Sequence, residues 1–112
     1  TFCHVTGGGL AANLERVMPH GLVAELDRGT WTPAPVFAMI AQRGRIEDVE
    51  MEKTFNMGVG MVAVVAPEDT DRAMAILTAR HLDCWTLGTV TKDVSKTRDG
   101  ARAIMVGRHP RF

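Results

Sequence analysis

Residues 1–19 read TFCHVTGGGLAANLERVMP. Phe2–Val5 alternates and carries β-favouring side chains, the pattern of a short strand. Leu10, Leu14, Val17 and Met18 recur at helical spacing, and Pro19 and Gly21 close that helix. Between strand and helix stand Gly7, Gly8 and Gly9. Strand, glycine turn and helix follow one another directly, so the chain opens on a βα step, and the remaining elements extend the alternation it sets.

Leu22–Leu26 reads as a second strand, closed by the turn-like stretch Asp27–Thr30. Thr32 is a candidate N-cap, and Pro33 suits the first turn of a helix running to a C-cap at Gly44. Val36, Phe37, Ile40 and Ala41 form its expected buried stripe. Residues 45–56 read as a short acidic helix. Gly58–Ala66 is nearly continuous apolar sequence, which suggests a strand buried on both faces. Residues 67–82 form the clearest helix, with Pro67 at its start, acids in its first turn, and Arg80 and His81 near its end. Cys84–Thr91 and Ala101–Gly107 read as the final strands, joined by a polar loop over 92–100 that ends in Asp-Gly. The fold class expected is α/β or α+β, a mixed β-sheet layered with helices.

The 112 residues suffice for one domain and not for two. A hydrophobic share of 46% argues against disorder. Thirteen basic residues balance thirteen acidic ones, so neither nucleic acid nor an anionic membrane is an expected partner. No apolar run reaches the roughly 18–20 residues of a membrane span. No signal peptide is visible, so a cytoplasmic location is expected. Cys3 and Cys84 form no metal-ligand spacing, so no metal site is expected and both read as reduced thiols. The chain starts with Thr1, almost inside a strand. Domains seldom begin that way, and the expectation is a chain trimmed at its N-terminal side.

A helix start leaves backbone N–H groups without partners and carries partial positive charge. Glycines there let a ligand approach the backbone, and Thr6 adds a hydroxyl donor, so Thr6, Gly7, Gly8 and Gly9 form a candidate anion site. The spacing is neither a Walker A loop nor GxGxxG. The alternative is a tight turn that allows close strand–helix packing. His4 shares a strand face with Thr6 and is a candidate for hydrogen bonding or proton transfer, or a structural histidine.

A second polar cluster lies in EMEKTFNMGVG, residues 50–60. Asn56 can donate and accept hydrogen bonds, and Gly58 and Gly60 share one strand face, leaving room for a ligand or another backbone. Alternatively Asn56 caps a turn and the glycines relieve crowding. Glu50 and Glu52 do not face each other on a helix, so most of Glu47, Asp48, Glu50 and Glu52 read as a solvated acidic face. Trp31, Phe37, Phe55 and Trp85 lack interleaved basic residues and read as core or rim side chains.

HVTGGGLAANLERVMP, TWTPAPVF, EMEKTFNMGVGMV and CWTLG, in that order from His4 to about Gly88, resemble the C-terminal part of the aminoimidazole ribonucleotide synthetase (phosphoribosylformylglycinamidine cyclo-ligase) family. One departure is visible: where the family usually has Glu-Asn after the glycines, this chain has Ala12-Asn13. The resemblance implies a C-terminal substrate-binding domain, partial over 1–112, from an enzyme of purine biosynthesis. That enzyme uses ATP to activate the formyl oxygen of formylglycinamidine ribonucleotide, and the amidine nitrogen then closes the imidazole ring as phosphate leaves. ATP and Mg²⁺ are implied to bind chiefly to an N-terminal domain absent here, through which a homodimer forms. The isolated chain is therefore expected to be inactive. Thr6 and Gly7–Gly9 are implied to cradle the substrate's phosphate, with His4 and Asn56 lining the cleft. Competing readings are a related synthetase or kinase of the same architecture, such as selenophosphate synthetase, or a non-catalytic module that binds a phosphorylated ligand.

Overall fold

The computed structural model of the chain describes residues 1–95 and 100–112. The expected polar loop over 92–100 lies outside the described residues at 96–99. Among the described residues the elements are β1 (Phe2–His4), α1 (Leu10–Val17), β2 (Leu22–Asp27), α2 (Pro35–Gly44), α3 (Asp48–Thr54), β3 (Met61–Ala63), α4 (Thr70–Ala79), β4 (Gly88–Lys92) and β5 (Arg102–Val106). The fold is α+β, as expected, but its strands make two small sheets. β1 pairs antiparallel with β3, and β2 lies between antiparallel β4 and parallel β5.

β2 organises the larger sheet. Ala24 and Leu26 point inward with 0% and 3% exposure, while Glu25 and Asp27 face water. α1 lies against β1, β5 and α3. Its Leu10 and Leu14 are buried, and Met18, just past its end, continues the same stripe. Val17, read as part of that stripe, is 39% exposed instead. Helix α1 stops at Val17 because Met18 precedes Pro19 and must leave the α region, which it does at ψ 146°. Glu15 covers the outer edge of β5, its Oε1 accepting from the Ala103 amide at 3.0 Å.

Three expectations need correction. α2 begins at Pro35, not near Pro33, and Thr32 does not cap it. In Thr32-Pro33-Ala34-Pro35 both Thr32 and Ala34 precede a proline, which excludes them from helical ψ, so the helix waits for the second proline. The Thr32 hydroxyl instead donates to the Pro110 carbonyl at 2.9 Å. At the other end Gly44 is still helical, and Arg45 takes the left-handed conformation at φ 52°. Ile46 then folds back, donating to the Ala41 carbonyl, and a Cβ on Gly44 would lie 2.9 Å from its Cδ1. The run Gly58–Ala66 is not buried on both faces: only Met61–Ala63 is strand, Met61 is 58% exposed, and β1 is its one partner among the described residues. The strand expected over 84–91 forms at Gly88–Lys92: β2 ends at Asp27, whose amide donates to the Leu87 carbonyl at 3.0 Å, so no β2 residue is left opposite Cys84–Thr86.

Candidate anion-binding site at the glycine turn

The glycine turn is built around Asn13. This is the one buried polar side chain among the described residues, 6% exposed. Its Nδ2 donates to the carbonyls of Thr6 (3.1 Å), Gly7 (3.3 Å) and Gly9 (2.7 Å), and its Oδ1 accepts from the Thr6 hydroxyl at 3.1 Å. The Thr6 proton is therefore committed to Asn13, so Thr6 is not the free hydroxyl donor expected from the sequence, and the donors left at the turn are backbone amides. Every peptide here is trans. A trans peptide holds N–H antiparallel to C=O, so carbonyls drawn toward Asn13 send the Gly7, Gly8 and Leu10 amides the other way. Among the described residues neither the Gly7 nor the Gly8 amide has a protein acceptor.

The three glycines serve different ends. Gly9 answers to packing: at φ 88° a Cβ would sit 1.8 Å from the Glu52 carbonyl oxygen, so only glycine lets α1 start against the end of α3. Gly8 is needed for its backbone, at φ 100°. Its nearest neighbour is Arg16, whose NH2 group stands 3.7 Å from where a Cβ would be. Gly7 faces open space. The exposed pair Gly7 and Gly8, beside a guanidinium at a helix start, makes a positively polarised surface patch. A small space between Leu10, Trp31, Phe55 and Met57 measures about 20 Å³ and holds a water at most.

The two motif segments meet, although their named side chains do not. The Val5 amide donates to the Gly60 carbonyl at 2.9 Å, and His4 lies opposite Met61 in the β1–β3 ladder. His4 is exposed on the open face of that ladder. Asn56 turns its side chain to its own loop, where Oδ1 accepts from the Gly58 amide at 2.8 Å. That loop holds Met57 at φ 52°, and the Trp31 indole fixes it by donating to the Met57 carbonyl at 3.0 Å. Among the described residues no hydrogen bond joins the His4 or Asn56 side chain to the glycine turn.

Residue spacing did not single out Asn13 as a clamp, yet it carried a signal: a polar residue inside the stripe Leu10, Leu14. Arg28 and Glu52 carried none, being 24 positions apart. Their side chains form a two-pronged pair, Nε to Oε2 at 2.9 Å and NH2 to Oε1 at 2.8 Å, and Arg28 also donates to the Gly107 carbonyl. Glu52 is thus an exception to the solvated acidic face, and its hydrogen bond holds the Arg28 guanidinium above its usual pKa. Cys3 and Cys84 are both free thiols. Burial pushes the Cys3 thiol up, and the Arg16 charge opposes this less strongly. Among the described residues no three His, Cys, Asp or Glu side chains gather to hold a metal ion. No described helix is long and apolar enough to cross a membrane.

Fold and site together define a mixed-sheet α+β domain that presents unpaired amides at a glycine-rich helix start. The chain belongs to the family described as AIR synthase related protein, C-terminal domain, whose family model matches residues 1–99. It is 54% identical over 103 residues to a Streptomyces fradiae protein provisionally named phosphoribosylformylglycinamidine cyclo-ligase, covering 92% of this chain and 56% of that one. A Caldicellulosiruptor saccharolyticus phosphoribosylformylglycinamidine cyclo-ligase is 42% identical over 89 residues, covering 80% of this chain and 26% of its own. The Burkholderia vietnamiensis protein of that name is 46% identical over 87 residues, covering 78% and 25%. The chain thus spans about half the length of the first and about a quarter of the others.

Proposed function

We propose that this chain is the substrate-binding segment of an ATP-dependent cyclo-ligase that converts formylglycinamidine ribonucleotide to aminoimidazole ribonucleotide, and that Thr6–Gly9 receives the substrate's phosphate. The observation that carries the site is the pair of amides at Gly7 and Gly8, without protein acceptors among the described residues and turned away from Asn13, with Arg16 beside Gly8. The names of the relatives support the reaction. ATP supplies the phosphoryl group that makes the formyl oxygen a leaving group. ATP and its Mg²⁺ are assigned to a separate N-terminal domain, as the family resemblance implies. The reading extends to a cytoplasmic homodimer for the complete enzyme. Within it this chain anchors the phosphate and orients the amidine toward the activated carbon, a positioning role that lowers an entropic barrier. His4, exposed near the turn, is the candidate for a further substrate contact.

Gly7→Asp tests the site, because a Cβ there meets nothing within 4 Å and the variant should keep its fold. A carboxylate beside the amides should abolish binding of ribose 5-phosphate, followed by amide shifts in solution. Unchanged affinity in the folded variant would exclude the cradle. The chain alone should show no ATP-dependent ring closure, and turnover by it would refute the assignment of ATP to another domain.

A further inference from the structure

We propose that Asn13 is a positioning residue, whose side-chain amide holds the Thr6–Gly9 turn in the conformation that presents the Gly7, Gly8 and Leu10 amides to a phosphate; this rests on the phosphate reading above. Asn13 has only two Nδ2 hydrogens, yet three carbonyls of one short turn lie within 3.3 Å of that nitrogen. Its Oδ1 takes the Thr6 hydroxyl, which fixes which end of the amide faces the turn. Burial makes these bonds obligatory, since a buried amide without partners is strongly disfavoured.

Helix packing does not call for this residue. Leu10 and Leu14 already fill the buried stripe, and an apolar side chain between them would complete it. What Asn13 supplies is order where the sequence has least. Three consecutive glycines sample far more backbone conformations than other residues, and a ligand that had to freeze them would lose affinity to that entropy. Drawing three carbonyls to one point removes the freedom beforehand. The direction matters too: each carbonyl drawn inward turns the N–H of the same peptide plane outward. The same side chain therefore sets both the order of the turn and the polarity of its exposed face. This also separates Asn13 from its neighbour Ala12, whose methyl side chain can make no such bond.

The test compares the native chain with Asn13→Ala and Thr6→Val, and with Thr6→Ser as the rescue. Affinity for ribose 5-phosphate is read from amide shifts, and backbone order at Gly7–Gly9 from heteronuclear NOE. Asn13→Ala should bind about tenfold more weakly, the worth of one or two hydrogen bonds, and should lose order at Gly7 and Gly8 while β2–β5 shifts stay native. Thr6→Val, which keeps Asn13 and its packing, should move both readouts the same way, and Thr6→Ser should restore them. Thr6→Val also carries the test if Asn13→Ala does not fold. Native affinity and native turn order in the folded variants would overturn the role of Asn13. Failure of the native chain to bind, with the variants still loosening the turn, would overturn the phosphate reading and leave Asn13 as the clamp.

Discussion

A methyl group added at Gly9 would lie 1.8 Å from the Glu52 carbonyl oxygen, whereas at Gly7 it would meet nothing within 4 Å. Gly9→Ala should therefore cost about 2–5 kcal/mol, from a positive φ and from overpacking against α3. Gly7→Ala should stay within about 0.5 kcal/mol of the native chain. Urea midpoints measure both, and a neutral Gly9→Ala would mean that α1 and α3 separate easily. The GGG triplet was legible as a functional candidate, but its division of labour was not, because the backbone that Gly9 must clear lies 43 positions away in sequence. Cys3 gives a second prediction at this scale. It is 2% exposed, and its thiol is pushed up by burial, so it should resist iodoacetamide in the folded chain and react once urea unfolds it. Rapid native labelling at Cys3 would show that β1 frays from the core.

Between elements, a fork from Arg28 to Glu52 joins the end of β2 to α3 while a third donor reaches Gly107 beyond β5. Both side chains are largely covered, at 25% and 18% exposure. Arg28→Lys keeps the charge and loses the fork, so it should destabilise by about 1–3 kcal/mol, measured by urea unfolding. A neutral result would make the pair ornamental to α3 docking. The β2–β4–β5 sheet carries an acid-sensitive tie. The Ser95 hydroxyl, and then the Arg102 guanidinium, hold the Asp93 carboxyl below the usual range. A depressed carboxyl stabilises fully above its unfolded pKa and loses that contribution as pH falls through its folded value. Asp93→Asn should thus flatten the acid limb of the stability profile below about pH 4, and an unaltered limb would count against it. Helices α1, α3 and α4 were legible because apolar spacing, prolines and clustered charges are local signals. The apolar run at 58–66 misled, because continuous hydrophobicity reports what a segment tolerates, while strand length depends on how many partner residues lie alongside, and β1 offers three.

The whole chain is a slab, 42 × 40 × 22 Å, with a radius of gyration of 14.6 Å against about 13 Å for a compact domain of this length. Its accessible surface of 7761 Å² exceeds by about 1,700 Å² the value that scaling gives for a folded monomer of its mass. Part of that excess is apolar. Phe2 is 74% and Met61 58% exposed on the open face of β1–β3, where His4 stands opposite Met61 and two residues along from Phe2. The native chain should therefore bind anilinonaphthalene sulfonate, and Phe2→Lys with Met61→Lys should remove much of the fluorescence. Equal fluorescence in both would place the apolar surface elsewhere. Composition told correctly that the chain is globular, but thickness was not legible, since it depends on how many layers assemble and not on which residues are present. The parallel neighbour of β2 adds a consequence in time. Val23 pairs with Arg102 and Asp27 with Val106, so the central strand waits for the last strand to be made. Such distant pairing closes slowly, after a large loop has been ordered. On the ribosome, β2 must leave the exit tunnel well before β5 exists. A nascent chain arrested before residue 102 should stay sensitive to protease, and resistance should appear only as the C-terminal residues clear the tunnel.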